Sequence, residues 1–334
     1  MGSVPRGASR AVVATLIAAW SAAAAVAAPF AWITNQGDHT VSVIDVAARA
    51  VVATVPVDRS PAGVVAVDRA GKVFVTAPDS NAVTVLDAAT RGKLASLSAG
   101  KGAVGIDAAP DGQRVYVADW FGQQLLGFDA RTHREVLRVP LGRAPAGVAV
   151  SADGREVFVA ERDEDRIAIV DASDPAKAFV RARVAVQEHP FALLFDAKRQ
   201  RLYALNVYSD SVSVIDLRDR AAPKVVATVK VGKAPYGATL AHGGALLYVT
   251  NQRDDSVSVI DADKLEVVRT LTGFGYPEGI ATAGDEVLVV NWMDERLDVL
   301  DAGSGRKLAS VATGANPRGF GAFVGTVAPA AGSR

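Results

Sequence analysis

Few side chains in this 334-residue sequence could do chemistry, and none of them sits in a local motif. There are four histidines, His39, His133, His189 and His242, and no HxH or HExxH spacing that would build a metal centre. There is no cysteine. That excludes disulfides, Cys-ligated zinc, iron–sulfur clusters and covalent c-type haem. No glycine-rich loop opens a helix to cradle a phosphate, so neither metal nor cofactor is expected. What remains is a dispersed set of large aromatic and charged residues: Trp120, Phe121, Glu161, Arg162, His189, Phe191, Tyr208, Tyr236, Tyr276, Glu278, Trp292 and Arg318. Aromatic groups on loops are unfavourable to expose without a partner, so this set reads as ligand-binding. His189, between Glu188 and Pro190, is the best single candidate for acid–base chemistry or haem ligation, with an ordinary loop histidine as the alternative. Residues this far apart need a scaffold to converge them.

That scaffold is legible as a repeat. Asp45, Asp87, Asp129, Asp171, Asp216, Asp261 and Asp301 recur at intervals of 40–45 residues. Such a period, with several strands per unit, is the signature of a β-propeller. The sixth copy is cleanest. Tyr248–Asn251 and Val257–Asp261 are two β-branched runs with a polar loop between them, which is a hairpin signal. Val267–Leu271 then supplies an outer strand, and a Pro-x-Gly turn leads into Gly279–Ala281, the inner strand of the next unit. Each unit is thus four antiparallel strands, A to D from the inside out. The expected fold is all-β, a seven-bladed propeller.

The inner strands are read as Val64–Asp68, Ile106–Ala109, Val148–Ser151, Leu193–Asp196, Ala238–Ala241, Ile280–Ala283 and Phe320–Phe323. A small residue precedes each, from Gly63 to Gly319, because backbones crowd around a central channel. The first copy starts at strand B (Phe30–Asn35) and the last segment (319–325) is an unpaired strand A, so the two termini should complete one blade. Closure of this kind removes open sheet edges. One aromatic per copy (Trp32, Phe74, Tyr116, Phe158, Tyr203, Tyr248, with Leu288 in the seventh) should fill the wedge between blades. The Asp column should fix turns; a catalytic carboxylate would not be needed seven times.

The B-to-C loops and D-to-A connections of a propeller open on one face, around the channel mouth, where ligand sites are commonly built. Positions that vary between copies there are free of fold requirements. The residue ending strand B is Asn35, Ala77, Asp119, Glu161, Asn206, Asn251 or Asn291, and the x of Pro-x-Gly is Ala62, Val104, Ala146, Phe191, Tyr236, Glu278 or Arg318. The candidate set converges on this mouth. Its aromatics either plug the channel by packing on one another or offer a binding face.

Tyr248-Val249-Thr250-Asn251, the related Trp32-Ile33-Thr34-Asn35, and Val-Ser-Val-Ile-Asp at 41–45, 212–216 and 257–261 carry a resemblance to the YVTN family of β-propeller repeat proteins. It covers about residues 30–325. The resemblance implies an exported, periplasmic or surface propeller. The chain also looks similar to seven-bladed lactonases, and more distantly to propellers associated with haem d1 and quinoproteins.

Residues 1–27 read as a signal peptide: Arg6 and Arg10, the apolar run Ala11–Ala25, and the A-x-A site Ala25-Val26-Ala27. Residues 28–325 would be the propeller, and 326–334 a disordered tail. Removing Arg6 and Arg10 from 36 basic and 36 acidic residues leaves 34 and 36, a formal charge of −2. That argues against general nucleic-acid affinity. The expectation is a periplasmic or secreted monomer, not membrane-spanning once cleaved. It would bind a small molecule or protein at the channel mouth without evident catalysis. The alternatives are a lactonase- or lyase-like enzyme at the same mouth, where the resemblance implies a set of His, Glu and Arg, sometimes with a divalent cation, that Glu161, Glu278, Arg318 and His189 would supply, and an accessory protein of periplasmic electron transfer binding haem or quinone.

Overall fold

The chain is described by a computed structural model covering residues 29–326 together with Gly2. The expected signal peptide, except Gly2, and the expected tail, except Thr326, lie outside the described residues. The described strands form seven four-stranded antiparallel sheets arranged as a propeller. Blades two to seven are each continuous in sequence. Blade one takes strands B, C and D from Phe30–Asn35, Thr40–Asp45 and Ala50–Pro56, and its strand A from Val324–Gly325. Helical structure among the described residues is confined to single 3-10 turns, and no helix there is long and apolar enough to cross a membrane.

Burial follows position in the blade. Strands B and C are covered on both faces, and Leu246–Asn251 and Ser256–Asp261 are buried almost throughout. Strand D is mostly exposed. This is why B and C read as near-continuous apolar runs and D alternates. The aromatic column Trp32, Phe74, Tyr116, Phe158, Tyr203 and Tyr248 is fully or almost fully buried. The periodic Asp ends strand C and accepts a following N–H; at Asp129, Thr132 N donates at 2.6 Å, and at Asp45 the same bond comes from Ala48 N.

The repeated Thr-Asn pair acts as glue. Thr250 Oγ1 donates to Glu278 O of the next blade and accepts from Gly237 N, and Thr34 and Thr76 make the same reach to Ala62 O and Val104 O. Asn251 Nδ2 donates to Ser256 and Ser258 of strand C, as Asn206 does to Ser211 and Ser213. The small-residue column is a packing requirement. A Cβ at Gly105 would stand 1.9 Å from Ala146 O, and one at Gly147 would stand 2.2 Å from Phe191 O.

Two boundaries differ from the sequence reading. Inner strands of blades three to seven begin earlier, near the Pro (Ala103, Pro145, Pro190, Pro235, Pro277), with a register shift at x-Gly. In blade one the closing ladder is at Val324–Gly325 rather than Phe320–Phe323. Gly319 (φ 59°) and Gly321 (φ 121°) bend that stretch out of strand geometry. It still runs alongside: Trp32 N donates to Phe323 O, and Val64 N and Ala66 N of blade two donate to Phe320 O and Ala322 O. Thr326 is held too, its N–H and hydroxyl both on Asp68.

On the face away from the mouth, the start of strand B clasps the next blade. Lys72 Nζ reaches Ala130 O, Arg114 reaches Ala172 O, Arg201 reaches Ala262 O and the Tyr248 hydroxyl reaches Ala302 O. In two places the polarity is inverted: Glu156 meets Arg220, and Glu286 meets Arg49. The Glu286–Arg49 pair spans the seam between blades seven and one.

Candidate functional site

Loop-to-loop hydrogen bonds put the B-to-C and D-to-A segments on one face. Trp120 N donates to Gly102 O, Val207 N to His189 O, Gln252 N to Ala234 O and Trp292 N to Tyr276 O. Residues just before the turn proline adopt left-handed backbone in several copies, including Ser60, Ala144, His189, Ala234, Tyr276 and Asn316. Asp165, Asp210 and Asp255 of the preceding B-to-C loops pin three of them by accepting from His189 N, Ala234 N and Tyr276 N. His39 does the same for Ser60 N through Nδ1. The left-handed backbone at His189 and Tyr276 is therefore a fold requirement.

The column that ends strand B is wholly buried, so its side chains turn into the blades. Glu161 belongs there and does not line the mouth. It accepts from Gly142 N (2.6 Å) and is paired with Arg166 and Arg183. Burial works against its charge, and these partners outweigh burial to leave its pKa lowered. Its geometry is that of a strut for the D-to-A loop.

The x residues form a ring over the channel, small in blades two to four (Ala62, Val104, Ala146) and large in the rest. The large ones lean into the space left by the small ones. Phe191 stacks on Tyr236 (ring centroids 4.6 Å) and both pack on Phe320 (5.1 and 5.8 Å). The Tyr236 hydroxyl accepts from Arg318 Nη1 (3.1 Å), and Arg318 Nε donates to Gln36 Oε1 (2.8 Å). Arg318 Nη1 lies 3.6 Å from Glu278 Oε2, while Gln252 Nε2 donates to Glu278 Oε1 (2.8 Å). Glu278 is buried, and its Oε2 takes no hydrogen bond. Burial pushes its carboxyl up to about 7, against the pull of Arg318 and Gln252. Burial likewise raises Tyr236, with the Glu278 charge adding to it. Arg318 keeps 24% of its side chain exposed, and its Nη2 has no partner among the described residues.

Beside this lid lies a shelf. The Arg162 guanidinium sits between Trp120 (5.4 Å to the ring centroid) and Tyr208 (5.5 Å), a cation–π arrangement. His189 lies against Tyr208 at 4.1 Å, and Trp120 approaches Phe191 at 6.3 Å. The structure thus joins His189, Tyr208, Arg162, Trp120, Phe191, Tyr236, Arg318 and Glu278 in one contiguous packed cluster, with Phe191 and Glu278 buried inside it. Tyr276 and Trp292 pair with each other at 5.6 Å. Phe121 stands on a loop tip, 70% exposed, as do Tyr208 (54%) and Met293 (62%). The shelf therefore presents apolar area that no part of the described chain covers. No group of three or more His, Asp or Glu suited to hold a metal ion occurs among the described residues.

Sequence reasoning missed Phe320, Gln36 and Gln252 as parts of the lid, and Asp107 inside the channel. Asp107 had a signal: its inner-strand position is Val65, Ala149, Leu194, Thr239, Ala281 or Gly321 in the other blades. Gln36 and Gln252 had none, because their role depends on where Arg318 and Glu278 fold.

No protein-family model and no curated protein matches the chain. Solved structures do. A functionally unknown protein from Desulfotomaculum acetoxidans DSM 771 superposes with TM-score 0.77 at 13% identity, covering 90% of this chain and 99% of its own. Kuenenia stuttgartiensis hydrazine synthase gives 0.71 at 15% identity, covering 86% and 99%. Dihydro-heme d1 dehydrogenase NirN in complex with DHE gives 0.63 at 18% identity, covering 89% and 75%. At these identities the likeness is one of fold.

Proposed function

We propose that this protein is an exported binding propeller that takes a planar, anionic small molecule at its channel mouth. The observation that carries the reading is the unpartnered Nη2 of Arg318 beside half-buried Tyr236 and Trp120, whose rings pack on the buried Phe191. A guanidinium nitrogen with free N–H groups attracts a carboxylate, and aromatic walls favour a flat ligand. Export rests on the Ala25-Val26-Ala27 cleavage pattern, and kinship with YVTN-type repeats on the Thr-Asn glue described above. One structural neighbour, the dihydro-heme d1 dehydrogenase, was solved in complex with DHE, which makes a tetrapyrrole carboxylate a reasonable member of the test panel.

The test is a matched-pair titration of the mature protein, reading tryptophan fluorescence. The panel is flat aromatic carboxylic acids and a porphyrin dicarboxylate, each against its methyl ester. The acids should bind roughly tenfold or more tighter than the esters, as a charge-assisted bond of ~1.5–3 kcal/mol implies. Arg318→Gln should erase the difference. Equal binding of acid and ester would reject the anionic-ligand reading.

A second reading, acid–base catalysis of the lactonase or lyase kind, is favoured by Glu278, whose carboxyl near 7 lies beside Arg318 and Tyr236. Turnover of a lactone panel that is lost in Glu278→Gln would select it.

A further inference from the structure

Below the lid, the inner strands line a half-open cavity of about 370 Å³, within the size range of small-molecule sites. Its walls are largely apolar, with Val148, Val150, Leu194, Phe195, Ile280 and Phe320 among them. Asp107 is the one charged residue in the lining. Its Oδ1 accepts from Ala108 N (2.8 Å) and its Oδ2 from Val150 N (3.0 Å). Each oxygen keeps a lone pair, and no cation among the described residues faces it. The carboxylates buried within the blades differ. Glu156, Glu161, Asp196, Glu278 and Asp298 each have an Arg or Lys partner, and Asp119 takes three N–H donors. The ring does not require a carboxyl at this level, since the equivalent positions in other blades are apolar, Thr or Gly. The remaining side-chain polar groups of the lining, Thr239 and Thr282, bond to each other, and Thr282 also donates to Leu240 O.

We infer that the channel is a second binding site, separate from the mouth, for a small organic ammonium ion. The cationic nitrogen meets Asp107, and a short apolar chain lies against Leu194, Phe195 and Val150. A carboxylate held in an apolar channel without a counter-charge is unfavourable, and a ligand that brings the charge removes that penalty. Consistent with this, burial pushes the Asp107 carboxyl up to about 7.

Calorimetric titration of the folded mature protein with n-butylammonium and with n-butanol tests the site. The ammonium should bind at least about tenfold tighter than the alcohol, in line with a hydrogen bond to a charged group. Asp107→Asn, which keeps an oxygen acceptor for Val150 N, should abolish that preference. Ala281→Leu places in blade seven the side chain that blade five carries as Leu194, so the fold should accept it while the filled cavity excludes both probes. Trp120→Ala should leave ammonium binding unchanged. Equal affinity for the two probes, no binding of the ammonium, or undiminished binding to Ala281→Leu would overturn the inference. The last two remain readable even if Asp107→Asn fails to fold.

Discussion

Glu278 is the residue at which packing and charge conflict most openly. It is almost fully buried, Arg318 is 3.6 Å away, and one carboxyl oxygen is left without a hydrogen bond. With a folded pKa of about 7 against the usual 4.5, the folded protein holds a proton that the unfolded chain releases. Its contribution is therefore fully present below pH 4.5 and is lost as pH rises toward 7 and beyond. The groups that face it are Arg318 and Gln252, with Tyr236 bonded to the same guanidinium. Glu278→Gln removes the titration. Relative to wild type, this variant should gain roughly 1–3 kcal/mol between pH 5 and pH 8, measured by urea unfolding at both pH values. A parallel pH response of the two proteins would show that Glu278 is ionised throughout. Glu161 shows the opposite case, a buried carboxylate matched by two guanidinium groups and a backbone N–H. The variation of its position between copies suggested the mouth, but the end of strand B turns its side chain inward in every blade, and variation alone does not carry that direction.

At the scale of elements, the closure of blade one is the most testable feature. Phe323 is fully buried among Phe30, Trp32, Leu288 and Val290, and its carbonyl accepts from Trp32 N. Phe323→Ala should lose about 3–5 kcal/mol in chemical denaturation. Deletion from Gly319 onward should do more, exposing the edges of Phe30–Asn35 and Val64–Val67 and giving aggregation or loss of cooperative unfolding. A truncated protein that melts like the full chain would contradict the split-blade arrangement. The blade plan, the aromatic wedge and the Asp turns were legible because each recurs in every copy or nearly so, and repetition separates fold requirement from accident. The bend at Gly319 and Gly321 was not, because it occurs once and depends on blade two donating to the freed carbonyls. The lid lay between these extremes. The large x residues were visible in the sequence as candidates, while their lean toward Ala62, Val104 and Ala146 is a matter of three-dimensional room.

For the whole molecule, the ring is a rigid frame stitched on both faces, and its variable side chains are gathered at one end of the channel. Inter-blade clasps on the far face and loop-to-loop hydrogen bonds on the near face couple each blade to the next. The mouth can therefore hold exposed Phe121, Tyr208 and Met293 in fixed positions with little loss of stability. The proposed role is that this surface, and not the frame, was shaped for a ligand. Trp120 and Trp292 are half-buried there, at positions where other blades carry Gln36, Pro78 and Val207, so the frame does not need them. The most direct measurement is a calorimetric titration of the tightest anionic aromatic ligand against wild type and the Trp120→Ala, Trp292→Ala double variant, which keeps only Trp32 in the mature chain, with thermal unfolding of both. The account predicts an unchanged melting temperature and binding weakened by about 1–3 kcal/mol for each aromatic anchor removed. Undiminished affinity, or a double variant that unfolds, would contradict it.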